Sequence, residues 1–489
     1  MPQHDAVTAL RRFGLGPKPG DMLKIANDPR GFLLAGLADK AAGRLEKTEL
    51  QASHAVFAEA QEAQMAQRLA KALANEVAKD AGSTKPNQPT RPIVSGVPAP
   101  APMAPVDATK SAAKLPNATA GQVRRDALVE ELAARIERAS ATDNALVERL
   151  VIFWSNHFCV SSAKGPVRGL AGGYEREAIR PHVLGRFADM LKAVEQHPAM
   201  LIFLDNQVST GPNSRAGKNR SVGLNENLAR EILELHTLGV AGGYSQVDVT
   251  NLARVLTGWA VGQLNIPQSE PGKFFFAANR HEPGSWTVAG KSYIDEGQRT
   301  GEKVLDDLAR HPSTARHIAV KLARHFVSEK PPAALVAALE KTFRDTGGDL
   351  AAVTRTLVSA PEAWEPPATK IVPPYDFTIS LIRGLGLKPA AGEVVRLAGL
   401  LGQPVWQVPS PKGWPDDDDA WMGPSAIRER LRIAERLARD VDRQTDPRIA
   451  ATDLLGPGLG EHTRQAIARA ETREQGLELL VMSPEFLRR

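Results

Sequence analysis

Apolar side chains recur along most of the chain at intervals of three and four residues, the period of an amphipathic helix rather than of a strand. The run Asn144 to Trp154 opens after Thr142 or Asp143, either suited to cap it, and carries this spacing throughout. The same pattern predicts helices over Glu175–Glu195, Leu224–Leu238, Val247–Trp259, Ser313–Val327, Ala333–Thr346, Leu350–Ser359, Tyr375–Leu385 and Ser425–Arg439. Arg44 to Lys79, rich in Ala, Glu, Gln and Lys, reads as one long helix. Ser483-Pro484-Glu485 has the form of a cap followed by proline where the backbone amide needs no partner, and predicts a last short helix. Strand-like signal is confined to one hairpin, Lys273–Phe276 with Ser285–Val288 about a turn at Glu282–Gly284. The expected fold is mainly α, a multi-helix globular protein with one small β-hairpin.

Composition changes this picture in one place. Ala81 to Gly121 turns to Pro, Ala, Ser, Thr and Asn, a mixture that buries too little apolar surface to offset chain entropy, and is expected to be a disordered insertion. It divides the 489 residues into an N-terminal helical segment, 1–80, a Pro/Ala-rich linker, 81–121, and a main helical domain, 122–489. The 61 basic and 56 acidic residues are too balanced to point to a nucleic-acid partner. The single cysteine, Cys159, excludes an internal disulfide and a cysteine-rich metal site, and its apolar surroundings predict a buried thiol. With no apolar run long enough to span a bilayer and no signal-peptide pattern, the default location is cytoplasmic.

Candidate chemistry concentrates between Asp205 and His236. Gly211 to Arg220 is a glycine-containing loop in which Asn213, Arg215, Lys218 and Arg220 form a candidate anion or substrate contact, against the plainer reading of a solvated basic loop. In the following helix Leu224, Leu228, Ile232 and Leu235 make an apolar stripe bordered by Asn227, Glu231 and Glu234. Glu231 and Glu234, three residues apart, repel unless a cation, an arginine or a proton lies between them; they are candidate acid/base groups or ligands of a divalent metal, or simply a salt-bridged helix face. On a regular helix at ~100° per residue, His236 falls about 140–160° away from both glutamates, so it cannot complete a metal site with them. His157, at the end of the Val147–Phe158 apolar run, is the candidate histidine from elsewhere, with His281 at the hairpin tip a third. Trp406, Trp414 and Trp421 lie in or just after a proline-locked loop and either line a cleft or fill the core. Asp416–Asp419 reads as a solvated acidic turn, and Gly14-Leu15-Gly16 as a helix stop. His-Glu-x-x-His, Gly-x-Ser-x-Gly and Walker-type signatures are absent from the sequence.

These motifs, together with Leu10–Gly16, Phe153–Phe158, Leu224–Gly239 running into Gly242–Gln246, Leu252–Trp259, His311–Arg316, Gly347–Leu350, and Gly402-Gln403-Pro404 with Gly413-Trp414-Pro415, resemble the domain of unknown function 1800 family over nearly the whole chain. The resemblance implies a bacterial helical protein without an established reaction. It also implies a frequent companion, a domain of unknown function 1501 family protein related to alkaline phosphatases and sulfatases and often exported. Members often carry histidine where Ser155 stands here, which removes a paired-histidine arrangement beside His157.

Two functions are therefore expected. The first is a metal-assisted or acid/base, hydrolase-like cleft for an anionic or glycan-type substrate, with His157, Glu231, Glu234 and His236 catalytic and Asn213, Arg215, Lys218, Arg220, Asn227 and Trp414 binding substrate. The second is a non-enzymatic helical partner or maturation factor for the companion family's protein, with which the chain would leave the cytoplasm.

Overall fold

The computed structural model describes residues 2–45, 49–83, 118–219, 223–365 and 367–489. Within them the chain forms 22 α-helices and two two-stranded antiparallel sheets, as the helical spacing predicts. Most of the Pro/Ala-rich segment, 84–117, lies outside the described residues. The two helices that flank it, Ser53–Ser83 and Ala120–Ala141, meet through Val56, Ala60, Ala63, Ala120 and Val123.

The Ala145–His157 helix runs through the main core with Ile152, Ser155 and Asn156 alone reaching partial exposure, so its charged Glu148 and Arg149 are buried as well. A helix apolar on nearly every face belongs inside a protein, and burial of its charges demands partners. Arg180 supplies one: its Nη1 and Nη2 donate to Glu148 at 2.8 and 3.1 Å, and its Nε donates to Glu175 at 3.0 Å. The Pro374–Leu385 helix is buried along its whole length. Tyr375, Ile379 and Ile382 join the main core, while Phe377, Leu381 and Leu385 join a second core built with the C-terminal helices. Phe13 and Leu33 of the N-terminal segment lie in the main core.

Several expected elements form differently. Glu175–Glu195 is not one helix but a π turn at Glu175–Ile179, a 3-10 turn at Arg180–His182 and a helix at Phe187–Glu195; Pro181 has no amide to continue the ladder. Leu224–Leu238 becomes a short helix at Asn227–Glu231 continued by a second π turn, Ile232–His236. The long helix expected over Arg44–Lys79 begins at Ser53, and residues 46–48 are outside the described set. The expected hairpin is mispaired: Phe274–Phe276 pairs with Trp259–Val261, and Trp286–Val288 pairs with Lys291–Tyr293. The second pair turns at Ala289-Gly290, where φ is 47° and 78°, the two positive values a tight primed turn requires. The final helix, Pro484–Leu487, starts as expected, with the Ser483 side chain accepting from the Phe486 amide.

Candidate functional site

The end of the Ala145–His157 helix, the Ile232–His236 turn and the Pro312–Phe326 helix converge. The ring of His157 is bonded at both nitrogens: Nε2 lies 3.1 Å from the His236 carbonyl and Nδ1 lies 2.9 Å from Lys321 Nζ. A carbonyl accepts only, so Nε2 carries the proton and Nδ1 accepts from the ammonium. His317 Nε2 likewise donates to the Leu235 carbonyl at 3.0 Å. Two imidazoles therefore occupy carbonyls at the end of the π turn, groups a helix end leaves without intrahelical partners.

His236 itself is buried, and its Nδ1 donates to Glu195 Oε1 at 2.7 Å, with Glu195 wholly buried at the end of its own helix. Among the described residues the other ring nitrogen of His236 forms no hydrogen bond. The wide turn also corrects the angular argument from sequence. An i→i+5 ladder brings residues five apart over one another, and His236 bears on the Glu231 carboxylate, which lies half-buried with its titration raised by burial and by Glu234 and offset chiefly by His236. Glu234 accepts from the Tyr244 hydroxyl at 3.3 Å.

Burial, reinforced by Lys321, His317 and His236, keeps His157 well below the usual imidazole range. Burial and Lys321 lower His317 to about 4. Burial lowers Lys321 too, opposed by Asp416 and Cys159. The Cys159 thiol is buried and pushed up to about 12, and its Sγ donates to the Pro411 carbonyl at 3.1 Å, a structural thiol as expected.

The loop residues gather elsewhere. The Asn213 amide and side-chain Nδ2 donate to the two oxygens of the buried Glu282 at 2.8 and 2.6 Å, and the amides of Gly211 and Ala216 donate to Arg280 and Asn279. A side chain on Gly211 would come within 2.4 Å of the Glu282 carboxylate. Glu282 and His281 are thus packing residues and not a turn tip; His281 bonds the Thr257 carbonyl and Asp295. Arg215 and Lys218 are exposed on this loop, Arg220 is outside the described residues, and Asn227 is exposed at its helix start. Among the described residues, no hydrogen bond joins this loop to His157, Glu231 or His236.

Trp414 is fastened to the His157 helix: its amide donates to Asn156 Oδ1 at 2.7 Å, and its carbonyl accepts from Nδ2 at 2.9 Å. Gly413, with φ 81°, precedes it, and a side chain there would come 2.5 Å from the Asn156 carbonyl. Behind this contact lies a cavity of about 60 Å³ lined by Arg135, Ser155, Cys159, Tyr375, Trp406 and Trp414. Ser155 Oγ and Trp406 Nε1 both donate to Glu175 Oε2, at 2.6 and 3.0 Å. The acidic turn after Trp414 is not solvated throughout. Asp416 accepts from His325 Nδ1 at 3.0 Å and faces Lys370 at 3.8 Å; burial would raise its titration, but His325, Lys370 and Lys321 outweigh that and hold it ionised.

Glu195, His317 and Lys321 were not singled out from sequence. One signal existed: His317, Lys321 and His325 stand four residues apart and form one polar stripe of an amphipathic helix. Among the described residues, no group of three His, Cys, Asp or Glu side chains is disposed to hold a metal ion. Two glutamates and a histidine share the site, but Glu195 is turned to His236 instead of to a shared centre.

Neither the curated proteins nor the solved structures compared with the chain gave a match. A family model described as "Protein of unknown function (DUF1800)" matches residues 8–488. That span takes in the main core apart from Ala6, the whole second core and every side chain of the convergent site, and the chain belongs to the DUF1800 family.

Proposed function

We propose that the chain is an acid/base, hydrolase-like enzyme for an anionic or glycan-type substrate, with His236 as base and Glu231 as acid. The observation that carries this reading is the 2.7 Å contact between His236 Nδ1 and buried Glu195. A carboxylate behind an imidazole fixes its tautomer and stabilises the imidazolium that forms when the far nitrogen takes a proton. Glu231, raised by burial, keeps its proton closer to neutral pH, and two neighbouring titratable groups with different environments divide into acid and base. In the proposed step His236 Nε2 removes a proton from water, the resulting hydroxide attacks the scissile centre, and Glu231 protonates the leaving oxygen. Lys321 and His317 flank the developing negative charge. His157, engaged at both nitrogens, positions Lys321. Glu234, Arg215, Lys218, Asn227 and Trp414 remain candidate substrate contacts. The steps are written with protein groups alone; among the described residues no three His, Cys, Asp or Glu side chains are grouped to hold a metal ion.

Assay of the purified chain against chromogenic esters, phosphate esters and glycosides tests this reading. His236→Gln and Glu231→Gln are expected to lower turnover at least ~100-fold in variants that still unfold cooperatively. Full activity in both folded variants would sink it.

A second reading, a helical partner or maturation factor for a DUF1501 family protein, is favoured by the internal pairing of His157 and Asn213. It expects a stoichiometric complex unaffected by His236→Gln. Fractionation of cells with and without the partner would show whether the chain is exported with it. No helix among the described residues is long and apolar enough to cross a membrane.

A further inference from the structure

Away from this site, three guanidinium groups meet where the N-terminal Gly14-Leu15-Gly16 turn packs on the Ala145–His157 and Pro374–Leu385 helices. Arg11, Arg149 and Arg489 are 7%, 1% and 2% exposed. Together with Gly14, Leu15, Gly16, Asp376 and Ser380 they line a cavity of about 10 Å³. Among the described residues, Asp376 is the one carboxylate that forms an ion pair with any of the three: it accepts from Arg149 Nη1 at 3.1 Å and from Arg489 Nη1. Arg11 Nη2 is committed to the Phe486 and Arg488 carbonyls, and Arg149 Nη2 to His325. That leaves Arg11 Nη1, Arg149 Nε, and Arg489 Nε and Nη2 buried without a hydrogen-bond partner among the described residues.

The geometry points to a binding site for a monatomic anion, of chloride size, held among Arg11, Arg149 and Arg489. Three arginines share one directly paired carboxylate, with Asp416 and Glu485 acting on Arg149 and Arg11 without an ion pair, and an unpaired buried charge is costly. The three arginines that line the cavity carry four buried donor atoms without a partner among the described residues, and donors bonded to an anion are the stronger kind. Size selects the ligand. A cavity of this volume holds about one water-sized sphere, so phosphate, sulfate and carboxylates are too large, while water would satisfy donors but bring no charge. Burial and the nearness of Arg489 lower Arg11 to about 10, with Glu485 only partly opposing them, which agrees with excess positive charge. Arg11 and Arg489 also border a surface pocket of about 520 Å³, a route by which an ion reaches the cavity.

The test uses the full chain. Its melting temperature is measured in sodium chloride and in sodium gluconate at equal ionic strength, gluconate being too large to enter. Chloride at a hundredfold excess over its Kd is expected to raise the midpoint by about 3 °C, and Arg489→Met is expected to abolish that difference. Crystals soaked in sodium bromide should show an anomalous peak between the three guanidinium groups. Identical melting in the two salts, or no bromide peak there in the unsubstituted protein, overturns the proposal; the bromide experiment decides it even if Arg489→Met fails to fold.

Discussion

Lys321 Nζ donates to His157 Nδ1 across 2.9 Å, and this contact reinforces burial in keeping the imidazole well below its usual range. An imidazole whose lone pair already receives an ammonium proton cannot take another without breaking that bond and placing two cations side by side.

Acid stability follows from this. Burial, the leading cause in each case, holds His157 well below 6.5 and lowers His317 and His325 to about 4. In the unfolded chain all three take up protons near pH ~6.5. Between that value and about 4 the unfolded state binds more protons than the native one, so stability is lost as pH falls through this window. His325→Gln should remove on the order of 2–3 kcal/mol of the pH-dependent part, and His317→Gln on the order of 1–2 after discounting its partial exposure. Urea unfolding at pH 7.5 and 5 checks this; equal stability at both values in the unsubstituted protein contradicts it.

Glu282 holds the Asn213 loop by two bonds to one residue. Glu282→Ala leaves the Asn213 donors without their acceptor and should cost about 2–4 kcal/mol. Limited proteolysis should then cut first between Gly211 and Lys218. An unchanged cleavage pattern would show that the loop is held by something else.

Arg180 serves two buried carboxylates, Glu148 and Glu175. Arg180→Met keeps the volume but takes the shared guanidinium from both carboxylates, leaving Glu148 with Arg138 at 3.6 Å and Glu175 with Arg135 at 3.5 Å, with an expected loss of about 3–5 kcal/mol. Adding Glu148→Gln to that variant should recover part of the loss, since one of the two buried charges is removed. A denaturant series on the single and double variants measures both effects.

Asn156→Ala removes both bonds to the Trp414 backbone. A cost of about 1–3 kcal/mol is expected, with a red shift of the Trp414 emission, isolated by subtracting the Trp414→Phe spectrum. Emission that stays unshifted would mean the loop keeps its seat without Asn156.

Repetition made much of the fold legible. Leu350–Ser359 is bounded as its apolar period predicts, and the helices near Ala333, Pro374 and Pro424 differ by a residue or so. Long-range pairing was not legible. Phe274–Phe276 has strand character, but nothing local says that Trp259–Val261, not Trp286–Val288, lies beside it. Asp416 looks like its three acidic neighbours and differs only in having His325 and Lys370 packed against it. Of the side chains that converge, His157, Glu231 and His236 were singled out from residue type, while Glu195 was not, because an acidic residue ending an amphipathic helix is ordinary until its partner is known.

The π turn at Ile232–His236 makes the site sensitive to chain length as well as to side-chain identity. Such a turn accommodates one residue more than a regular helix does. Closing this ladder as an α-helix with all its residues kept would turn His236 by ~100°, away from Glu195, whereas deleting one residue between Ile232 and Leu235 at the same time would bring it back. Relatives with a regular helix here would keep the His236–Glu195 contact only if they are one residue shorter across this turn, so ladder and spacing have to change together for the arrangement to persist.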